Sequence, residues 1–330
     1  MRIFLTLFAL VTLVASPSMA TKNEFRMKGA TVAPANTPWA KLLKYYKKLV
    51  RKNSDKRIKA KVYLGGVKGA EKSIVRQVQK GSLQFAGVST GALSDVAPAI
   101  DILELPYLFD DAKQADRVLD AVRPIIAEIL EEQGLKLIMF SENGYRCFGT
   151  KKPIRTPEDL KAYKMRAQPS PSHLAMYKAL GASARPISVT EVLPALQTGN
   201  VDGFDNTALF TQAASWYQGV EHFTVSRHIY QPALLILNKA WYEALPKDLQ
   251  SVVLPEDRSV EAKGRKGIRA LEPLLLENFA KQNITVYHLT DAERAAFKKA
   301  TRSAWDDRMA NATPLGKKLY NAILEAKKAQ

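Results

Sequence analysis

IKAKVYLGGVKGAEKSIVRQVQKGSLQFAGV, residues 58–88, reads as strand, helix and strand in succession. Ile58, Ala60, Val62 and Leu64 alternate with Lys59, Lys61 and Tyr63, the pattern of a strand with one buried face, and Gly65-Gly66 ends it. Ile74, Val75 and Val78 share one face of a helix that Gly81 stops, and Leu83 to Val88 is a second strand. Upstream, Phe25, Met27 and Ala30 have a strand rhythm. Trp39, Leu42, Leu43, Tyr46 and Val50 then line one face of a helix with lysines on the other. This βαβαβ series predicts an α/β domain with a largely parallel sheet.

The pattern resumes downstream. Asp111 to Gln133 is helical and Leu135 to Phe140 is a buried strand after Gly134. Thr156-Pro157-Glu158-Asp159 places a cap, a proline and acids as a helix start requires. Lys164 to Gln168 is a strand, Ser172 to Leu180 a helix, and Thr190 to Thr198 a helix with Pro194 late in its first turn. Val201 to Asn206 and Ala233 to Leu237 are strands, separated by an aromatic helix from Ala208 to Tyr217. Val260 to Gln282 reads as one long charged helix, and Thr290 to Glu293 as a capping box. No Pro/Gly/Ser linker divides the chain, so crossing strands must join the two α/β units. The breaks fall near Ser141–Tyr145 and Gln231–Pro232. Ligands of such folds bind beyond the carboxyl ends of strands, between the units.

Residues 1–20 are a secretory signal. Arg2 precedes an apolar run from Ile3 to Ala15, Ser16-Pro17 breaks it, and Ser18-Met19-Ala20 fits a cleavage site before Thr21. The run is shorter than the ~20 residues of a spanning helix. Cys147 is the only cysteine, read as a quiet buried thiol, so no internal disulfide forms. The formal net charge is +17, and cleavage removes one of those charges with Arg2. The lysines read as solvated faces spread along the chain rather than as the basic-aromatic stripe of a single-stranded nucleic-acid site.

Catalytic chemistry is not visible. His173, His222, His228 and His288 lack metal-ligand spacing, there is no Gly-x-Ser-x-Gly elbow, and Gly65 to Gly69 misplaces the lysine and hydroxyl of a phosphate loop. Asp202 and Asp205, beside Gly203 and Asn206, read as turn chemistry. No catalytic residue, metal site or cofactor is expected.

The motifs run in a fixed order: LGGVKGAE (64–71), GSLQFAGVSTG (81–91), LELPYLF (103–109), TPEDLKAYK (156–164), MRAQPSP (165–171), LPALQTGNVDGFDN (193–206) and HIYQPALLILNKAWYEALPKDLQ (228–250). In that order the chain resembles the substrate-binding proteins of TRAP (tripartite ATP-independent periplasmic) transporters, the DctP-like family, over essentially its whole length after the signal. The resemblance implies a periplasmic protein of two-lobed periplasmic-binding-protein fold, type II-like, with two α/β domains joined by crossing strands and long C-terminal helices. Lobe I is expected at 21–143 plus about 232–271, and lobe II at 144–231 plus about 272–330. It further implies a small-molecule carboxylate ligand, integral membrane TRAP subunits as partners, no nucleic acid, and a monomer or weak dimer.

Residue by residue, the resemblance makes Arg166 the partner of the ligand carboxylate, Arg146 a second arginine at the GYR position, and Asn206 the residue that steadies the arginine-ligand pair. It adds contacts from the loop Asn36 to Trp39 and from Ser89 and Thr90. The chain departs from the pattern at Pro194 and at Phe204-Asp205, where a Gln-Glu pair is commoner. The residues themselves fit: Arg166 and Gln168 share a strand face, and a guanidinium fork matches a carboxylate as lysine does not. Asn206 precedes a helix whose dipole favours an anion. An ion pair between Arg166 and a surface glutamate fits the residues equally. Trp39 suits the cleft or a core anchor equally. If Trp39 and Phe204 both line the pocket, the cargo is larger and more apolar, aromatic or lipid-like. An enzyme built on the binding fold and a basic protein adhering to anionic surfaces are the remaining readings.

Overall fold

The computed structural model describes residues 24–329, so the expected signal and its cleavage before Thr21 lie outside the described residues. Nine strands form one sheet: β1 (Phe25–Ala30), β2 (Ile58–Tyr63), β3 (Phe85–Ser89), β4 (Leu135–Thr150), β5 (Lys164–Ala167), β6 (Ser183–Pro186), β7 (Gly203–Thr207), β8 (His222–Asn238) and β9 (Thr285–His288). Their order is β2-β1-β3-β8-β4-β7-β5-β6, with β9 beside β8. β1 is parallel to both β2 and β3, as the opening pattern predicts. The second group, β6-β5-β7, is parallel as well.

Two long antiparallel strands hold the groups together. The first half of β4 and the last half of β8 pair with each other beside β3. Their other halves lie beside β7 and β9. These are the crossing strands, and they are far longer than the apolar runs Leu135–Phe140 and Ala233–Leu237. Three register shifts interrupt their pairing, at Leu137/Met139, Glu142/Gly144 and Arg146/Phe148. Bulges bend a strand and sharpen its twist, and Gly144 takes φ +96° at the middle one, where a side chain would be strained. The bend sits where one lobe gives way to the other.

Helix formation follows the caps. Helix Pro38–Asn53 begins at Thr37, whose hydroxyl accepts from Ala40 N at 3.2 Å, and proline occupies its first position. Its buried stripe of Trp39, Leu42, Leu43, Tyr46 and Val50 packs on Met27, Ile58 and Phe85. Thr290 and Glu293 form the predicted capping box of helix Asp291–Ala300. Two helices are shorter than their patterns. Val260 to Gln282 divides into Ser259–Arg269 and Glu272–Ala280 because Pro273 cannot donate to the preceding turn. The aromatic helix ends at Ala213, and Ser215 at φ 58° opens a 3₁₀ turn from Trp216 to Gly219. The last helix, Pro314–Lys328, assigned by sequence to lobe II, packs instead on helix Ala112–Glu132. Leu319 and Ile323 join Val118, Leu119 and Val122 in the largest core. Among the described residues no helix is long and apolar enough to cross a membrane.

β7 is held close to β4. A Cβ on Gly203 would stand 2.7 Å from the Gly149 carbonyl oxygen and 2.9 Å from Met165 Sδ. The backbone oxygen has nowhere to go, so Gly203→Ala is expected to destabilise the protein by about 1–3 kcal/mol, the usual cost of overpacking. Urea unfolding of both forms measures it, and an unchanged midpoint would contradict it.

Candidate functional site

Between the two groups of strands lies a cavity lined by residues from both, among them Trp39, Glu71 and Ser89 from the first lobe and Arg146, Arg166, Gln168 and Asn206 from the second. The sequence-predicted residues Arg166, Arg146, Asn206, Gln168, Ser89 and Trp39 therefore come together. Three others do not. Asn36 is exposed in the turn before helix Pro38–Asn53, where its neighbour Thr37 faces the cavity instead. Thr90 turns inward, its hydroxyl donating to Glu104 Oε1 at 2.6 Å and lying 3.1 Å from the Pro232 carbonyl. Phe204 is fully buried behind the site against Trp216, Val192 and Leu196.

Arg166, on β5, is 2% exposed. Its Nε donates to the Ile187 carbonyl at 2.9 Å and its guanidinium stands 5.3 Å from the Trp216 ring centroid. Nη1 is buried and has no partner. Burial, with Arg146 nearby, lowers its pKa to about 10, so it stays a cation at neutral pH. A desolvated guanidinium with a free donor, facing a cavity, is incomplete: such groups normally have their hydrogen bonds met. The alternative partner for Arg166, a surface glutamate, is not what the fold supplies.

Arg146, on β4, is in the opposite condition. Its Nε donates to Asp205 Oδ2 at 2.5 Å, and its Nη1 reaches Gln231 Oε1 at 2.9 Å, Gln168 Oε1 at 3.2 Å and Asn206 Oδ1 at 3.3 Å. Asp205 is no turn residue: it is 0% exposed. Burial alone would raise its pKa, but the Arg146 charge, with His173 Nδ1 at 3.6 Å and His228 Nε2 at 3.5 Å, holds it well below the usual carboxylate range. Asn206 consequently steadies Arg146, not Arg166, while also accepting from Thr207 N at 2.8 Å. Beyond Asp205 the network continues through His173, whose Nε2 is 2.7 Å from Glu104 Oε2. Burial and the Arg146 charge disfavour the imidazolium, but Asp205 and Glu104 prevail and raise the pKa of His173.

Glu71 is a lining residue that the sequence reading missed. Its carboxylate accepts from Ser89 N at 3.0 Å and Ser89 Oγ at 2.8 Å, and burial raises its pKa. Only its place at the start of helix Glu71–Gln79, directly after a strand-ending turn, marked it in the sequence. Across the cleft, Gln168 Nε2 donates to Ser89 Oγ at 3.1 Å, so the lobes touch. Trp39 does both things expected of it. Its Nε1 donates to the Glu142 carbonyl at 2.9 Å while its ring lines the cavity and packs in the first-lobe core.

Ser226 Oγ lies 2.7 Å from His228 Nδ1, but both residues are buried and neither lines the cavity. Cys147 is buried and its thiol is pushed up to about 12 by that burial, which leaves it inert. Among the described residues no group of His, Cys, Asp and Glu is placed to hold a metal ion. What the cavity offers is one incomplete cation, a carboxyl group, amides and hydroxyls, with Val88, Leu209 and Phe210 as apolar walls.

Two α/β lobes, crossing strands and a polar cleft with a buried cation define a solute-binding protein. Residues 29–312 match the DctP family, the bacterial extracellular solute-binding proteins of family 7, and the chain belongs to that family. A solute-binding protein of Verminephrobacter eiseniae is 33% identical over 72% of this chain and 74% of its own. The sugar acid binding protein of Advenella mimigardefordensis, solved with galactonate, superposes with a TM-score of 0.87 at 26% identity, over 93% of this chain and 98% of that one. A TRAP periplasmic solute-binding protein of Xanthobacter autotrophicus, solved with β-D-galacturonate, gives a TM-score of 0.85 at 29% identity, over 92% and 100%. Family and neighbours are substrate-binding proteins, not enzymes.

Proposed function

We propose that this protein is the extracytoplasmic receptor of a TRAP transporter, that it captures a sugar acid by pairing the carboxylate with Arg166, and that it delivers the acid to integral membrane subunits. The observation that carries the reading is the buried, unpartnered Nη1 of Arg166 facing a polar cavity. A ligand carboxylate completes that fork with charge-assisted hydrogen bonds. Glu71, Gln168 and Asn143 then offer oxygens and amides to ligand hydroxyls, and Trp39 and Phe210 cover the apolar face of a ring. The bound galactonate and galacturonate of the two structural neighbours are polyhydroxylated monocarboxylates, which supports the same class here. A larger apolar cargo loses one of its two supports, because Phe204 is behind the site.

The enclosed space is about 40 Å³ in this conformation, room for about three waters. Ligand entry therefore requires the lobes, residues up to 143 with about 232–271 and helix Pro314–Lys328 against the remainder, to part about the bulges in β4 and β8 and close again. Export with cleavage before Thr21, action as a monomer or weak dimer, and a periplasmic location belong to the same proposal.

Thermal melts with a panel of acids test it. D-Glucuronate, D-galacturonate and D-galactonate are expected to raise the melting temperature, since a ligand at about a hundred times its Kd adds about 2.7 kcal/mol of stability. C4-dicarboxylates and aromatic or fatty acids are expected to do little. Stabilisation by an aromatic or fatty acid alone would replace the sugar-acid reading.

A further inference from the structure

The positive charge is not spread along the chain as the sequence reading expected. Between residues 24 and 91 there are sixteen Lys and Arg against three Asp and Glu, and from residue 92 onward thirty-one against twenty-nine. Nearly the whole excess lies on residues 24–91 of the first lobe, where Arg57 pairs with Asp248 and Lys72 and Arg76 pair with Asp95 from outside that stretch. One of the three acids, Glu71, faces inward to the cavity.

Helix Pro38–Asn53 concentrates it. The helix carries six cations and no acid, and its outer face presents Lys41, Tyr45, Lys48 and Lys52 at helical spacing, flanked by Lys44. Tyr45 is 47% exposed, one of the few large apolar side chains left on the surface. None of these lysines has a carboxylate partner among the described residues, and residues 1–23 contain no Asp or Glu to provide one. On the other face of the sheet edge, Arg26 lies opposite Lys59 and Lys28 opposite Lys61, all exposed. Like charges set side by side on neighbouring strands are destabilising; Glu24 offsets part of this by pairing with Lys59 at 2.5 Å, while Lys28 and Lys61 have no carboxylate partner among the described residues.

We propose that this part of the first lobe docks the protein on an anionic phospholipid surface, with the outer face of helix Pro38–Asn53 against the headgroups. Twelve of the sixteen cations are lysines. Protein interfaces are depleted in lysine and enriched in arginine and aromatics, whereas a bilayer attracts hydrated point charges wherever they lie within a Debye length. The face is about 24 Å long, with an open hollow among Lys48, Arg51, Lys52, Asp55 and Lys56 at its C-terminal end, and Tyr45 supplies an amphipathic ring of the kind that sits at a membrane interface. The family is extracellular, which makes lipid rather than nucleic acid the available polyanion. The first turn of the same helix carries Trp39 at the cavity, so a protein resting on this face holds its cleft near the bilayer. The proposal does not depend on which solute occupies the cleft.

The test is co-sedimentation of the full protein with vesicles of phosphatidylcholine alone or with one-third phosphatidylglycerol, at low and high ionic strength. Wild type is expected to pellet only with the anionic vesicles and to be released by salt. Lys41→Gln, Lys44→Gln, Lys48→Gln and Lys52→Gln combined are expected to weaken partition about a hundredfold or more. A control with the same change in net charge, Lys113→Gln, Lys281→Gln, Lys299→Gln and Lys317→Gln, is expected to bind like wild type. Lys→Arg at the first four positions, which keeps the charge, is expected to do the same. Failure of wild type to bind anionic vesicles at low salt overturns the proposal. So does an equal loss in the helix variant and the control, or competition by DNA that outlasts the vesicle interaction in salt.

Discussion

Arg166→Ala is expected to bind its sugar acid about thirtyfold to several thousandfold more weakly than wild type, the equivalent of about 2–5 kcal/mol. The guanidinium is 2% exposed and has already surrendered its water, so the free Nη1 gains its partner only from ligand. Truncation leaves the incoming carboxylate desolvated and opposite nothing, which costs more than loss of a solvated pair. Arg166→Lys keeps a cation but loses both the planar fork and the hold on Ile187, and should remain clearly impaired. Asn206→Ala should act through Arg146, whose Nη1 it faces, rather than through Arg166 directly. Calorimetric titration with D-galacturonate measures each, with melts to confirm folding. Binding by Arg166→Ala within about threefold of wild type, under 1 kcal/mol, would dismiss the carboxylate pairing.

The second large effect is on stability. Asp205→Ala is expected to cost about 3–5 kcal/mol, because it strands the Arg146 guanidinium in the interior. For a chain of this size that is about 5–15 °C in melting temperature. Arg146 and Asp205 are 2% and 0% exposed at their side chains, and Tyr177 also donates to Asp205 at 3.1 Å. Asp205→Asn preserves the shape and one acceptor and should cost less. The pH dependence has a definite sign. A carboxylate whose folded pKa is depressed contributes stability above its unfolded value, about 3.9, and loses it as the pH falls through the folded one. The deficit of Asp205→Ala should therefore shrink in strong acid, and shrink in part again as the pH rises through the raised folded pKa of His173, whose imidazolium Asp205 helps to hold. Thermal melts of the pair across pH decide it, and a variant as stable as wild type at neutral pH would remove Arg146–Asp205 from the account.

Local signals were the legible ones. Thr156 to Asp159 and Thr290 to Glu293 announced their helical turns because a cap is a contact between near neighbours in sequence. β5 and Arg166 were legible for the same reason, since alternation places Arg166 and Gln168 on one face. The lengths of β4 and β8 were not. Each changes lobes midway, and the polar residues Ser141, Glu142, Arg146, Ser226, His228 and Gln231 are buried by partners distant in sequence rather than by an apolar pattern. The Arg146–Asp205–His173–Glu104 network was invisible for that reason too: its members lie on four different elements and meet only in the fold. Asp205 beside glycine and asparagine looked like a turn, and only burial distinguishes it. Phe204 misled in the other direction, since strand alternation gives a side chain its face but not its distance along the strand from the cleft.

Calorimetric titration of D-galacturonate against D-galactose tests the central claim most directly, because the two share a ring and its hydroxyls and differ at the carboxylate. Pairing with Arg166 predicts that galacturonate binds and galactose is weaker by about thirtyfold or more. Equal affinity for the two sugars would contradict it.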